Sequence, residues 1–172
     1  MKADLHRTFR TGIAWLALLA SPFTTVTAAE ALEGTPATDF ALKALSGDNV
    51  RLSEHLGEVV VINFWASWCG VCRTEMPRLD KLHATYRSAG LTLFGVNVDE
   101  HPTDAVDFAR TLGVTYPILL DPRKSVGPLY RLDALPMTVL IDRAGVVRYI
   151  HHDYSAAIER QYVAELRGLL NE

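Results

Sequence analysis

The apolar residues of this chain are most densely grouped in a run from Val59 to Trp65. Most of them are β-branched or aromatic, and a short turn follows the run. A run of this length and composition, closed by a turn, predicts a strand buried on both faces at the centre of a sheet. We expect a helix to begin at or just after Cys69.

The segment behind this strand has apolar residues at helical spacing. They form one stripe: Cys72, Met76, Leu79, Leu82 and Tyr86. Pro77 lies inside the stripe and is expected to kink the helix, because proline removes a backbone hydrogen bond. Gly90 closes the connection, and the apolar run 91–98 predicts a second buried strand. Strand, helix and strand in this order predict a parallel pair with a right-handed crossover.

On the N-terminal side of the central strand, apolar and polar residues alternate around a Ser-Gly-Asp-Asn turn at 46–49. Alternation on both sides of such a turn predicts a β-hairpin. Ser53 is expected to cap a short helical turn that leads into the central strand.

Helices and strands continue to alternate in the second half of the chain. In order, the pattern predicts a helix over 102–112, a strand over 116–120, a helical turn over 121–130, two strands over 136–142 and 146–150, and a closing amphipathic helix over 155–170. Pro136 stands at the start of a strand, which periodicity alone allows as a strand start or edge position.

Residues 1–29 differ in composition from the rest of the chain. Basic residues precede an apolar run over 13–20, and small residues follow it, an order typical of a secretory signal peptide. The run is shorter than the roughly 20 residues that span a bilayer, so we predict cleavage after Ala28 or Ala29. An uncleaved membrane anchor is the alternative. In either case the protein is expected to work in the periplasm.

Composition narrows the class of protein. The chain has 172 residues, of which 49% are apolar, enough for one globular domain with a core. The formal net charge is −3, and it becomes −5 without residues 1–29, which carry three basic groups and one acidic group. This acidity argues against a nucleic-acid partner.

The chain contains two cysteines, Cys69 and Cys72, at the predicted start of a helix. Backbone N–H groups and the helix dipole stabilise a thiolate at such a position, so the pKa of Cys69 should fall. Cys72 lies one turn further on the same face and can resolve a mixed disulfide. A structural zinc site would need four ligands, and the sequence has neither a second cysteine pair nor a His-x-x-x-His pattern. A structural bridge closing so short a loop would stabilise little. Redox chemistry is therefore favoured.

The segment 64–77 combines a double tryptophan, the Cys-x-x-Cys pair and a proline five residues beyond Cys72. It resembles the active-site segment of thioredoxin-fold proteins, specifically extracytoplasmic thiol-disulfide reductases of the TlpA/ResA type. The resemblance extends from about Gly34 to the C-terminus and implies a thioredoxin-like domain over 34–172. The implied fold is α/β, with a mixed central sheet flanked by helices, an N-terminal β-hairpin extension and a central αβ insertion.

The same resemblance implies further site residues. Pro136 would form the cis-proline loop that faces the cysteines, and Leu135 would present its backbone to an extended substrate. Trp68 would belong to the docking surface, while Trp65 would pack beneath the loop. Val71 departs from the proline that these reductases usually carry, which leaves the direction of electron flow open.

Glu75 is expected to handle protons beside the thiols. Asn63 stands where cytoplasmic thioredoxins have a buried acid, and in TlpA/ResA-type proteins a glutamate matching Glu75 is the acid near the thiols. The alternative is a solvated helix-face acid paired with Arg78.

We therefore predict a thiol-disulfide oxidoreductase that reduces disulfides of protein substrates without a metal or small-molecule cofactor. By resemblance, electrons would come from a membrane protein, and the setting would be cytochrome c maturation or related extracytoplasmic thiol maintenance. The alternatives are a disulfide oxidase or isomerase, and a copper or haem chaperone on the same fold. A peroxidase is disfavoured because the Pro-x-x-x-Thr-x-x-Cys pattern is absent, and a metal site at 151–153 is disfavoured against a solvated strand end.

Overall fold

A computed structural model describes residues 32–172, so the predicted leader at 1–29 lies outside the described residues. The strands are β1 (Ala41–Ala44), β2 (Asn49–Arg51), β3 (Val59–Trp65), β4 (Leu91–Asn97), β5 (Ile118–Leu120), β6 (Met137–Ile141) and β7 (Val147–His151). The helices are α1 (Cys72–Tyr86), α2 (Pro102–Leu112) and α3 (Ala156–Leu170). Three short 3-10 helices span Leu52–His55, Arg87–Ala89 and Gly127–Tyr130.

The seven strands within residues 32–172 join one mixed sheet in the order β2-β1-β5-β4-β3-β6-β7. The central strand β3 pairs in parallel with β4 and antiparallel with β6. The N-terminal hairpin β1–β2 extends the sheet through antiparallel pairing of β1 with β5. The predicted mixed sheet, its parallel central pair and the hairpin extension are confirmed.

Strand β3 separates two apolar layers, and all seven of its residues are buried. Because successive side chains of a strand point to opposite faces, Val61 and Trp65 pack with α1, α2 and α3, whereas Ile62 and Phe64 pack on the other face. That second face is covered by Phe40 and by side chains of the 127–130 turn and its surroundings. The uninterrupted apolar run of β3 thus serves two cores at once.

The short turn ahead of β3 differs in detail from the prediction. Ser53 lies inside the 3-10 helix rather than at its start, and no side-chain cap closes that helix. The Ser53 backbone N–H and hydroxyl both donate to the Asp39 carboxylate, at 3.0 and 3.2 Å. Two tertiary hydrogen bonds have replaced the expected local cap.

Candidate active site

The two cysteines form a disulfide that links the loop between β3 and α1 to the first residue of α1. Helix α1 begins at Cys72, three residues later than its earliest expected start, because residues 66–69 close a turn in which the Cys69 N–H donates to the Ala66 carbonyl. Cys69 therefore lies just ahead of the first helical turn.

The environment of the two sulfurs is unequal. Cys72 is fully buried, whereas 6% of Cys69 is exposed. The Cys72 backbone N–H donates to Cys69 Sγ at 3.2 Å, which places that sulfur against the N-terminus of α1. After reduction, this N–H and the helix dipole would stabilise negative charge on Cys69. The arrangement suits a solvent-side thiolate and a shielded second thiol.

Asp99 anchors the loop that carries Cys69, and sequence reasoning missed it. Its carboxylate accepts hydrogen bonds from the Ser67 N–H at 2.9 Å, from the Ser67 hydroxyl at 3.2 Å and from Asn97 Nδ2 at 2.8 Å. Asp99 is 4% exposed and follows the C-terminal end of β4, beside the end of β3. An acid directly after a buried parallel strand was the available signal, since such strand ends converge at one edge.

Glu75 is fully buried, so the alternative of a solvated acid on the helix surface is wrong. Its carboxylate accepts hydrogen bonds from Tyr162 at 2.9 Å, Thr138 at 3.0 Å and Asn63 at 3.0 Å. Burial raises the pKa of Glu75 above its ordinary value of 4.5, while these three donors oppose the rise. A buried carboxyl with a raised pKa is suited to exchange a proton with a neighbouring group.

The three donors come from separate parts of the chain. Asn63 on β3 and Thr138 on β6 lie opposite each other across the antiparallel pair, and Asn63 Nδ2 also donates to Thr138 at 2.9 Å. Tyr162 reaches the same carboxylate from α3. Asn63 was identified by resemblance, but Thr138 and Tyr162 were missed, because a buried strand and an amphipathic helix carry no signal for this pairing.

The Leu135–Pro136 bond is cis, as the resemblance implied. The two residues directly precede β6, whose first residue, Met137, pairs with Phe64 near the end of β3. Leu135 and Pro136 thus lie at the same end of the sheet as the loop that carries the cysteines.

Two apolar side chains next to the disulfide are open to solvent. Trp68 is 71% exposed and Val71 is 42% exposed. Trp65, in contrast, is fully buried, and its ring stacks on Phe108 with centroids 5.5 Å apart. The predicted difference between the two tryptophans in burial is confirmed.

The histidines at the end of β7 are engaged in pairs rather than in a cluster. His151 Nε2 lies 2.8 Å from Glu165, and His152 Nδ1 lies 3.1 Å from Asp133. Within residues 32–172, no group of three or more His, Cys, Asp or Glu side chains is arranged to bind a metal ion. The same part of the chain has no helix long and apolar enough to cross a membrane.

The sheet topology, the disulfide ahead of α1 and the proline loop beside it define a thioredoxin-fold thiol-disulfide oxidoreductase. The sequence model of the AhpC/TSA protein family matches residues 34–150, and the chain belongs to this family.

Similar proteins support both the fold and the activity. The thiol-disulfide oxidoreductase ResA of Geobacillus kaustophilus is 39% identical over 68% of this chain and 67% of its own length. ResA of Bacillus subtilis is 32% identical over 86% of this chain and 85% of its own. A Chlorobium tepidum structure, provisionally named thiol:disulfide interchange protein DsbE, is 33% identical, has a TM-score of 0.78, and is matched over 80% of this chain and 97% of its own.

Proposed function

We propose that this oxidoreductase reduces disulfides of exported proteins through Cys69 and Cys72. The Cys69 thiolate attacks a substrate disulfide, forms a mixed disulfide and expels one substrate thiolate, which takes up a proton. The Cys72 thiolate then attacks Cys69 Sγ, releases the second substrate thiolate and closes the Cys69–Cys72 disulfide. Two electrons pass to the substrate in one cycle. The observation that carries this order is the accessible Cys69 sulfur at the α1 N-terminus, with Cys72 sealed behind it.

Substrates would dock on the apolar surface around the disulfide. Trp68 and Val71 offer exposed area on one side, and Leu135 with Pro136 stands at the same end of the sheet. We assign the Leu135 backbone to contact an extended substrate segment and Trp68 to cover the scissile disulfide. Exposed aromatic surface of this kind supplies contact energy without demanding one sequence.

The proposed setting is the periplasm, with residues 1–29 acting as export signal or anchor and 34–172 as the working domain. The leader composition supports this proposal. Each cycle leaves the cysteines oxidised, so an electron donor must reduce them again. We propose a membrane protein as that donor and apocytochrome c cysteines as a candidate substrate class.

The test is the reduction potential of the Cys69–Cys72 pair, measured by equilibration in glutathione buffers followed by thiol trapping. A reductase is expected to give about −220 mV or lower, because electrons flow from the pair only to disulfides of higher potential. A potential near about −120 mV would identify an oxidant and contradict the proposed direction.

A disulfide oxidase or isomerase is the second candidate, because the Gly70–Val71 dipeptide between the cysteines lacks the usual proline and leaves the direction of electron flow open. A Bacteroides thetaiotaomicron structure that is 35% identical, with a TM-score of 0.77, is provisionally named protein disulfide isomerase. The potential above separates these candidates. Equilibrium dialysis of the reduced protein against Cu(I) tests the alternative of a copper chaperone. A chaperone would have to bind Cu(I) through Cys69 and Cys72 with a submicromolar dissociation constant.

We propose that Glu75 accepts the proton that Cys72 must lose before it attacks. Because the pKa of Glu75 is raised in the folded state, the unfolded chain loses this proton at a lower pH. The free energy of unfolding should therefore fall as pH rises from about 4.5 towards the raised pKa. In Glu75→Gln this fall should disappear. If Glu75 accepts the proton, the thiol-disulfide exchange rate of the unaltered protein should decrease at low pH, where Glu75 is protonated. This decrease, the acid limb of the rate profile, should also be absent in Glu75→Gln.

Urea unfolding at several pH values, together with stopped-flow exchange rates, measures both effects. Glu54→Gln on the surface is the matched control, since Glu54 is exposed and lies in the 52–55 turn. If the exchange rate of Glu75→Gln depended on pH as that of the unaltered protein does, Glu75 would not be the proton acceptor.

A further inference from the structure

The carboxylate of Glu75 is surrounded by neutral hydrogen-bond donors. Oε1 accepts from the hydroxyls of Tyr162 and Thr138, and Oε2 accepts from Asn63 Nδ2. Within residues 32–172, no lysine, arginine or histidine forms a salt bridge with Glu75. In a site without a countercharge, each neutral donor contributes a large share of what stabilises the ionised carboxyl.

Tyr162 differs from the other two donors in origin. Thr138 and Asn63 belong to the strands beneath the site, whereas Tyr162 belongs to α3, which closes the domain. Its side chain is 1% exposed. Burial, followed by the charge of Glu75, raises the pKa of Tyr162 far above its ordinary value of 10.0, so the hydroxyl stays a donor at any working pH.

Two neighbouring rings pack against the Tyr162 ring. The His151 ring meets it edge-on with centroids 4.8 Å apart, and the Tyr154 ring lies 6.5 Å away. His151 is itself tied to Glu165 of α3 by a contact of 2.8 Å. The phenol oxygen is thus held in place by packing before it meets Glu75, which lowers the entropy cost of the hydrogen bond.

We infer that Tyr162 is a positioning residue for thiol-disulfide exchange, because its hydroxyl fixes the Glu75 carboxylate and favours its ionised form. This inference rests on the proposed proton-accepting role of Glu75. When Cys72 loses its proton, the carboxylate receives it, and Tyr162 donates to the same oxygen before and after the transfer. The residue touches neither the sulfurs nor the substrate in this scheme and acts through Glu75.

Other titratable groups also face Glu75, and their charges contribute to the titration that the test measures. They are Tyr116 ahead of β5, and Asp153 and Tyr154 ahead of α3. Asp153 raises the pKa of Glu75, and the other groups are neutral in the oxidised protein below the range in which tyrosine ionises. A change that removes only the Tyr162 oxygen leaves these groups unaltered.

The experiment is Tyr162→Phe in the full chain, which keeps the ring and deletes the donor. The Glu75 carboxyl band is followed by infrared difference spectroscopy in the oxidised protein, with Glu75→Gln assigning the band. Loss of one hydrogen bond to a charged group should raise the titration midpoint by about one to two pH units. The acid limb of the exchange rate should move to higher pH by the same amount.

Tyr130→Phe is the matched control. Tyr130 is also buried, but its hydroxyl donates to the Thr38 carbonyl at 2.7 Å on the opposite face of the sheet. It should leave both the band and the rate profile unchanged. Incorporation of 3-fluorotyrosine at 162, a stronger donor of the same shape, should move the midpoint to lower pH.

Two results would overturn the inference. An unchanged infrared midpoint in Tyr162→Phe would mean that the hydroxyl does not govern Glu75, and the proposed reduction by Cys69 and Cys72 would stand. A shifted midpoint with an unmoved rate profile would mean that Glu75 does not accept the proton, which removes the basis for both roles.

Discussion

Substitution of Cys69 by serine is expected to abolish disulfide reduction, with a loss of about a thousandfold or more, because the attacking sulfur is removed. Substitution of Cys72 by serine should leave the first attack intact. Cys69 is the sulfur with outside access, and the substitution keeps the backbone N–H of residue 72 that donates to it. That variant should therefore accumulate a mixed disulfide that it cannot resolve.

Mass spectrometry of each variant after mixing with a disulfide-bonded test protein measures this difference. The Cys72→Ser variant should carry the test protein covalently on Cys69, and dithiothreitol should release it. The double variant serves as the control for non-specific adducts. Trapping on Cys72 in the Cys69→Ser variant, at a comparable rate, would reverse the assigned roles.

Substitution of Trp65 by alanine is expected to lower the free energy of unfolding by about 3–5 kcal/mol. The indole is fully buried and stacks on Phe108, so its loss opens a cavity between β3 and α2. Trp68→Ala is a control of the same residue type three positions away. Because Trp68 is 71% exposed, its removal should change stability by no more than about 0.5 kcal/mol.

Substrate turnover should be affected by the Trp68 substitution, although that substitution hardly changes stability. Trp68→Ala should lower kcat/KM for a protein disulfide by about tenfold, which corresponds to about 1.4 kcal/mol of lost contact energy. Urea unfolding and turnover of each purified variant provide the comparison. A Trp68→Ala protein with unchanged kcat/KM would show that substrates dock elsewhere.

Much of the fold could be predicted from local pattern. The run at β3 is apolar at consecutive positions, which a strand buried on both faces requires, and the helical stripe behind it starts close to the observed α1. Pro77 lies inside that helix as predicted. Element ends were less accurate: α1 starts at Cys72, and β5 begins at Ile118 instead of 116, because turns and strand ends depend on neighbours distant in sequence.

The active site also contains residues that could be predicted from sequence and residues that could not. The cysteine pair could be identified from sequence because its chemistry depends on adjacent residues and a helix start. The anchoring of the Ser67 loop by Asp99 could not, since the two residues are 32 positions apart and meet where parallel strands end together.

By itself, the sequence determined the redox pair, the central strand and the order of elements, because short-range periodicity and helix-terminus chemistry are local properties. Only the tertiary structure decided the protonation environment of Glu75. Its burial and its bonds to Asn63, Thr138 and Tyr162 require two strands and two helices to converge on one point. The pKa of a buried carboxyl depends on desolvation and on donor geometry, and both arise when the sheet and α3 pack against α1.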